Sequence, residues 1–473
     1  MKEKIVLIGA GSALFTRGLV ADMIRQDWET ELMLVDIDPV ALEASAGLAR
    51  KMINLKKARI KLVATTDRRE VMSGATVVIS TIGVGGRRAW EQDVFVPRKY
   101  GIFQTVGDTV MPGGTSRALR MIPATVEIAK DVLDLCPGAL FFNYANPMAV
   151  VCQAVRQATG VDNMIGLCHG VNHVGQYLAN ALGDPQDQVR YTAVGMNHLT
   201  WFTEFRTGGR DRMGRLREIA RERLASLVPD SAPQIAGGNA REDEIFGKED
   251  NRFSWQMLDL FGAFPAVMDH HSTEFFPHLF ARKGGYYGRT LGVDVFPFER
   301  VISYGDKIYE EMKDEGLSPS PLSQEYYARI SGEHEQVTDI IRSIRHDRGD
   351  VYSANVVNRG QIPDLPEGII VECPVAAYAN GLQPVGIHRL GPGLTGTLAS
   401  RMHWVETTAR AALTGDRELF IQALLIDGSV SSVTMARDLA EDLLETHREH
   451  LPQFFGTEAP RRKSVPPAVA TPV

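Results

Sequence analysis

Paired cysteines, long apolar runs and an excess of basic charge are all missing from this sequence. Its 473 residues hold four cysteines, Cys136, Cys152, Cys168 and Cys373, with no Cys-x-x-Cys pair among them. That excludes a disulfide-framed small domain and leaves free thiols in a reducing compartment as the expectation. No stretch approaches the roughly 20 apolar residues that a membrane span needs. Met1-Lys2-Glu3-Lys4 runs straight into an apolar segment, with no room for a signal peptide, so the expected location is cytoplasmic. A formal net charge of −7 offers no general attraction to nucleic acid or to anionic membranes. What is present is an ordinary globular balance, 44% hydrophobic and 23% charged, in a chain long enough for two cores.

The first half alternates short apolar runs with helical patterns. Ile5–Ile8, Leu32–Val35, Val77–Ser80, Leu140–Phe142 and Ile165–Leu167 read as buried parallel strands, with helices over Pro39–Leu55, Arg117–Leu133 and Pro147–Gln157 between them. The expected class is α/β, an N-terminal Rossmann-type doubly wound parallel sheet followed by a helix-rich α+β C-terminal domain. Helical patterns recur at Arg210–Leu227, Glu299–Asp314, Leu398–Leu413 and Ser431–Thr446. The expected division is 1–195 for dinucleotide binding and 196–457 for substrate and oligomerisation. A Pro/Ala-rich tail, 458–473, is expected to be disordered.

Gly9-Ala10-Gly11-Ser12 follows the first strand and opens a helix, where backbone N–H groups can approach a pyrophosphate. The third glycine of the usual fingerprint is absent, since Leu14 stands there. The second strand ends in Asp36, placed to hold ribose hydroxyls, and Ile37 rather than Arg follows, which favours NAD over NADP. Thr81 and Gly83 supply a second small-residue crossing beside the cofactor. At another strand end stands Cys168, and His198 lies thirty residues on. A thiolate and an imidazole suit Zn, Mn or Fe. Spacing alone equally allows a buried thiol and a core histidine.

Many short motifs, taken in order, resemble glycoside hydrolase family 4. They include Ile5-Val6-Leu7-Ile8-Gly9-Ala10-Gly11-Ser12, Gly107-Asp108-Thr109, Pro112-Gly113-Gly114, Asn143-Tyr144-Ala145-Asn146-Pro147, Cys168-His169-Gly170, Asn197-His198 and Val371-Glu372-Cys373-Pro374. The resemblance implies a redox-neutral hydrolysis in which NAD⁺ transiently oxidises C3 of the sugar. A base removes the C2 proton, the aglycone leaves, water adds and the ketone is re-reduced. It also implies metal ligation by Cys168 and His198, with Mn²⁺ the expected ion, and contact of Asn146 with both sugar and cofactor. His169 is implied as the acid that protonates the leaving group. Asp269 is the expected C2 base, with Tyr286 and Tyr287 as alternatives.

Cys168-His169-Gly170 is similar to the members acting on unphosphorylated α-glycosides, whereas Thr115-Ser116 departs from the apolar pair usual after Gly113-Gly114. Arg88 and Arg289, with other cations including Arg117, suggest an anionic hexose, a uronide or a sulfoquinovoside. Neutral α-glucosides or α-galactosides remain alternatives. Readings of another class are a malate/lactate-type dehydrogenase and a non-catalytic NAD-binding module. The expected partners are a small-molecule glycoside and further copies of the chain, as a homodimer or homotetramer.

Overall fold

The structure is a computed structural model that describes residues 2–226, 250–280, 285–286, 289–291, 295–332 and 336–456; of 285–286 and 289–290 it describes the backbone. Six strands form the N-terminal sheet. These are β1 (Lys2–Ile8), β2 (Glu29–Val35), β3 (Ile60–Thr65), β4 (Val77–Ser80), β5 (Leu140–Asn143) and β6 (Met164–Gly166), all parallel in the spatial order β3-β2-β1-β4-β5-β6. That is the doubly wound dinucleotide-binding order, whose connections reverse direction between β1 and β4 and open a crevice at their carboxyl ends.

The apolar runs of β1, β2 and β4 are buried, as strands covered by helices on both faces require. β3 is not legible as a buried run, because it lies at the sheet edge, half-buried, and Lys61 interrupts its apolar residues. The covering helices are α1 (Phe15–Arg25), α2 (Pro39–Lys56), α3 (Arg69–Met72), α4 (Gly86–Arg98), α5 (Met111–Leu135), α6 (Met148–Thr159) and α7 (Gly170–Leu182). The start of α2 is written locally: Pro39 opens it and the Asp38 carboxylate accepts from the Val40 and Ala41 N–H groups.

After α7 the chain forms a hairpin of β7 (Val189–Met196) and β8 (Leu199–Thr207). Two later strands, Asp350–Val357 and Ile370–Tyr378, insert between β6 and β7. Each joins its neighbour by one bridge, Asn355 to Gly166 and Glu372 to Gly195. The sheet therefore runs on from the N-terminal half into the C-terminal half, and the expected division at residue 195 falls inside the β7–β8 hairpin. The helical pattern over Arg210–Leu227 begins instead with a two-residue strand, and helix α8 follows at Met213–Ser226. The tail expected at 458–473 lies outside the described residues.

Helices of the second half dock directly on the first. The Phe298–Leu317 helix crosses α2 so closely that a Cβ on Gly47 would collide with the Gly316 carbonyl. The Pro392–Thr414 helix packs on α5, where Trp404 Nε1 donates to Thr115 Oγ1 at 3.1 Å. This accounts for the departure at Thr115, a fully buried hydroxyl that also donates to the Met111 carbonyl. Among the described residues no helix is long and apolar enough to cross a membrane.

Candidate active site

The turn after β1 is shaped by contact on both sides. Gly9 has φ +91°, and a Cβ there would stand 2.8 Å from the Ile82 nitrogen. A Cβ on Gly11 would press on Ala41 and on the Asp36 carboxylate, both at 2.8 Å. The Gly11 N–H donates to Asp36 Oδ2 at 2.7 Å and the Asp38 N–H to Oδ1 at 2.9 Å. Asp36 thus ties the glycine turn to the end of β2, and each carboxylate oxygen keeps a free lone pair for a ribose hydroxyl. Ile37, 89% exposed, brings no charge of its own to a 2′-phosphate. Ser12 Oγ accepts from the Phe15 N–H and sets the entry to α1. Leu14 replaces the third glycine at little cost, because its side chain is largely exposed. Across the crevice Thr81 Oγ1 donates to the Gly9 carbonyl at 3.1 Å, and a Cβ on Gly83 would meet only the Arg117 guanidinium, at 3.9 Å.

Further along the same sheet edge the expected metal pair meets: Cys168 Sγ lies 3.5 Å from His198 Nε2. His198 stands in the two-residue turn between β7 and β8 at φ +65°, an uncommon conformation for a side chain of its size. The buried Glu372 holds that turn, since its Oε2 accepts from Thr200 Oγ1 at 2.5 Å and Asn197 Nδ2 at 3.5 Å. On its other side the imidazole Nδ1 is 2.8 Å from Thr109 Oγ1, whose one proton goes to Asp108 Oδ1 at 2.7 Å.

Asp108 and His271 complete the cluster. Ligand atoms of Asp108, His198 and His271 all lie within 4.8 Å of one another, and the two imidazole centroids are 4.1 Å apart. Sequence reasoning does not single out Asp108 or His271 as members of this cluster. Asp108 stands in a recognised motif, but nothing in the spacing of either residue ties it to Cys168. Burial strips water from the imidazolium forms, so His198 is pulled down to about 4 and His271 well below the usual histidine range. Neutral imidazoles with free lone pairs result, and His271 Nδ1 is buried without a partner. A thiol, two neutral imidazoles and a carboxylate fit a divalent transition metal.

Asn146, joined to Pro147 by a cis peptide, borders the cluster: its Nδ2 donates to Asp108 Oδ2 at 3.0 Å, which leaves its Oδ1 buried and unpartnered. His169 follows Cys168 as an exposed residue at the head of α7, and its charge acts on His198 and His271. Glu274 underlies the Asp108 loop. Its Oε1 accepts the N–H groups of Val106 and Gly107, both at 2.8 Å, and burial pushes its carboxyl up to about 8. Burial likewise pushes Glu372 up to about 7.

The structure places two of the expected residues in other surroundings. Asp269 is fully buried at the head of the Arg252–Phe261 helix, where Oδ2 accepts from the Phe253 N–H and Oδ1 from both the N–H and the hydroxyl of Ser254. A carboxylate held by three donors with no solvent access is a helix cap, and those donors weaken it as a base. Arg88 is 61% exposed and bridges Glu91 and Asp306, so its charge is spent on the surface of α4. The Arg289 and Tyr286 side chains and the whole of Tyr287 lie outside the described residues.

Comparison with known proteins decides the family. The family 4 glycosyl hydrolase profile matches residues 4–184, and that of its C-terminal domain matches residues 193–430. The chain belongs to glycosyl hydrolase family 4. Within family 4, it is 31% identical over 450 residues to an alpha-glucosidase of Erwinia rhapontici, covering 90% of this chain and 94% of that one. It is 28% identical over 460 residues to an alpha-galacturonidase of Thermoanaerobacterium saccharolyticum, covering 94% and 96%. The fold matches a 6-phospho-alpha-glucosidase from gut microorganisms, solved in complex with NAD and Mn²⁺, with a TM-score of 0.80 at 18% identity over 96% of this chain and all of the other. The protein is thus a family 4 glycosidase, which excludes the dehydrogenase and the non-catalytic module as readings of the whole chain.

Proposed function

We propose that this family 4 enzyme hydrolyses an unphosphorylated hexoside by the redox-neutral route, using NAD⁺ and a divalent metal, Mn²⁺ being the expected ion. The observation that carries it is the grouping of Asp108, His198 and His271 beside Asn146, with Cys168 Sγ against His198, at the sheet edge that also holds the glycine turn. NAD⁺ supplies a two-electron acceptor and donor for C3 of the sugar, and the metal supplies Lewis-acid polarisation of sugar oxygens.

The chain's own residues divide the remaining work. Gly9, Gly11 and Ser12 leave room for the pyrophosphate at the head of α1, and Asp36 takes the ribose hydroxyls. Thr81 and Gly83 border the nicotinamide half. Cys168 and His198, with Asp108 and His271, hold the metal. Asn146 Oδ1, fixed by the Asp108 contact to its amide nitrogen, accepts from a sugar hydroxyl. His169, exposed beside the cluster, protonates the departing oxygen. With Asp269 serving as a cap, Tyr286 and Tyr287 are the candidates for the C2 base. The sugar is proposed to be an anionic hexose, a class represented in the family by the alpha-galacturonidase relative.

The test is hydrolysis of an aryl-glycoside panel in D₂O with NAD⁺, Mn²⁺ and a thiol reductant. Deuterium at C2 of the released sugar, with no net NADH, is expected. A conventional two-carboxylate hydrolase never breaks that C–H bond. Full turnover after removal of both NAD⁺ and metal would overturn the reading.

A further inference from the structure

Arg117, on α5, is a half-buried cation with no carboxylate within 4 Å among the described residues. Its Nε donates to the Asn146 carbonyl at 3.1 Å. Two buried guanidiniums among the described residues are paired. Arg120, three residues on, grips Asp93, and Arg401 grips Asp427. Arg117 Nη2 lies 3.9 Å from where a Cβ on Gly83 would stand, so the fork reaches the turn after β4 that borders the cofactor crevice. Burial and the like charge of Arg120 both disfavour the charge on Arg117, and the pull of Asp108 and Asp93 opposes them only partly. A cation kept in that setting gains from an anion brought by the ligand.

We propose that Arg117 is the specificity residue of this site: it receives a carboxylate of the sugar substrate, while the Asn146 side-chain oxygen accepts a hydroxyl of the same sugar. The two groups are already coupled, since Arg117 holds the backbone oxygen of the residue whose Oδ1 stands buried and unpartnered. One planar guanidinium with two free Nη groups matches one planar carboxylate in a bidentate pair. A phosphate dianion would leave an uncompensated negative charge next to Asp108, so the expected ligand is a hexuronate and not a hexose phosphate. This rests on the glycosidase reading above for its location, but it concerns binding and is tested by binding.

The experiment is calorimetry on the full chain loaded with NAD⁺ and Mn²⁺, titrated with galacturonate, glucuronate, galactose, a 6-sulfonated hexose and galactose 6-phosphate. Wild type, Arg117→Gln and Arg117→Lys are compared, with NAD⁺ affinity measured for each. The wild type should bind a hexuronate about ten- to a hundredfold more tightly than the neutral hexose, the worth of one charge-assisted pair. In Arg117→Gln that ratio should fall towards one, and Arg117→Lys should keep part of it. Wild type that does not prefer hexuronate over hexose overturns the proposal whatever the variants do. So does tighter binding of the phosphate or sulfonate than of hexuronate, or weakening of NAD⁺ that accounts for the whole loss. If hexuronate preference holds and depends on Arg117 but no glycoside is hydrolysed, the function reading fails and the subsite stands.

Discussion

Cys168 and Asp269 are both buried or partly buried, both polar and both within reach of the same sheet edge, yet their surroundings give them different work. Cys168 Sγ meets an imidazole, and the backbone N–H of Gly170 at 3.4 Å, and it keeps capacity for a metal. Cys168→Ser replaces a thiolate donor with a hydroxyl that stays protonated. Turnover at fixed Mn²⁺ should fall about a hundredfold or more, with NAD⁺ affinity, measured by nucleotide fluorescence, little changed. Asp269 spends both oxygens on the head of a helix. Asp269→Asn should therefore cost about 1–3 kcal/mol of stability in denaturant unfolding. Its kcat on the folded protein should drop far less than the roughly 10²–10⁴-fold typical of removing a general base. A folded, stable Asp269→Asn variant without turnover would return the base role to this residue.

At the scale of elements, the cluster is assembled by two segments held by buried acids. Glu372, on the Ile370–Tyr378 strand, fixes the β7–β8 turn that carries His198. Glu274 fixes the loop that carries Asp108. Glu274 is raised from its ordinary 4.5 to about 8 by burial. A raised carboxyl contributes stability that is complete below 4.5 and lost as pH rises through about 8. Each pH unit between those two values is worth about 1.4 kcal/mol. His198 acts oppositely: lowered from 6.5 to about 4, it contributes stability that is lost as pH falls from 6.5 towards 4. Glu274→Gln keeps an acceptor for the two N–H groups but cannot ionise. Denaturation of the metal-free and NAD-free variant between about pH 5 and 8 should show a flatter alkaline decline than wild type, and parallel declines would refute the assignment.

The whole molecule depends on close docking of the second half onto the first. The Phe298–Leu317 helix meets α2 backbone to backbone at Gly316 and Gly47, and a Cβ on Gly316 would collide with the Ala44 carbonyl. Gly316→Val should push the helices apart and lower stability by about 1–3 kcal/mol, an overpacking penalty read from thermal unfolding. Because that contact lies away from the metal cluster, Mn²⁺ affinity of the folded fraction should change little.

Much of the N-terminal half was determined by the sequence alone. Buried parallel strands need unbroken apolar runs, and a glycine turn before a helix needs residues without a Cβ, so β1, β2, β4 and Gly9 declare themselves locally. Motif order paired Cys168 with His198, and the fold sets their side chains 3.5 Å apart. What only the tertiary structure decided involves contacts between distant segments. Residues 350–378 enter the sheet between β6 and β7, and Asp108 and His271 reach His198 from 90 and 73 positions away in the chain. Charge was least legible of all. Arg88 and Arg117 are the same residue type, each on a helix of the N-terminal half, and neither pattern nor spacing separates them. Arg88 finds Asp306 on a helix more than two hundred residues later, whereas Arg117 finds a backbone carbonyl beside the cofactor crevice. A guanidinium's role follows from which anion reaches it in space, and in this protein folding supplies one to Arg88 and leaves Arg117 for a ligand.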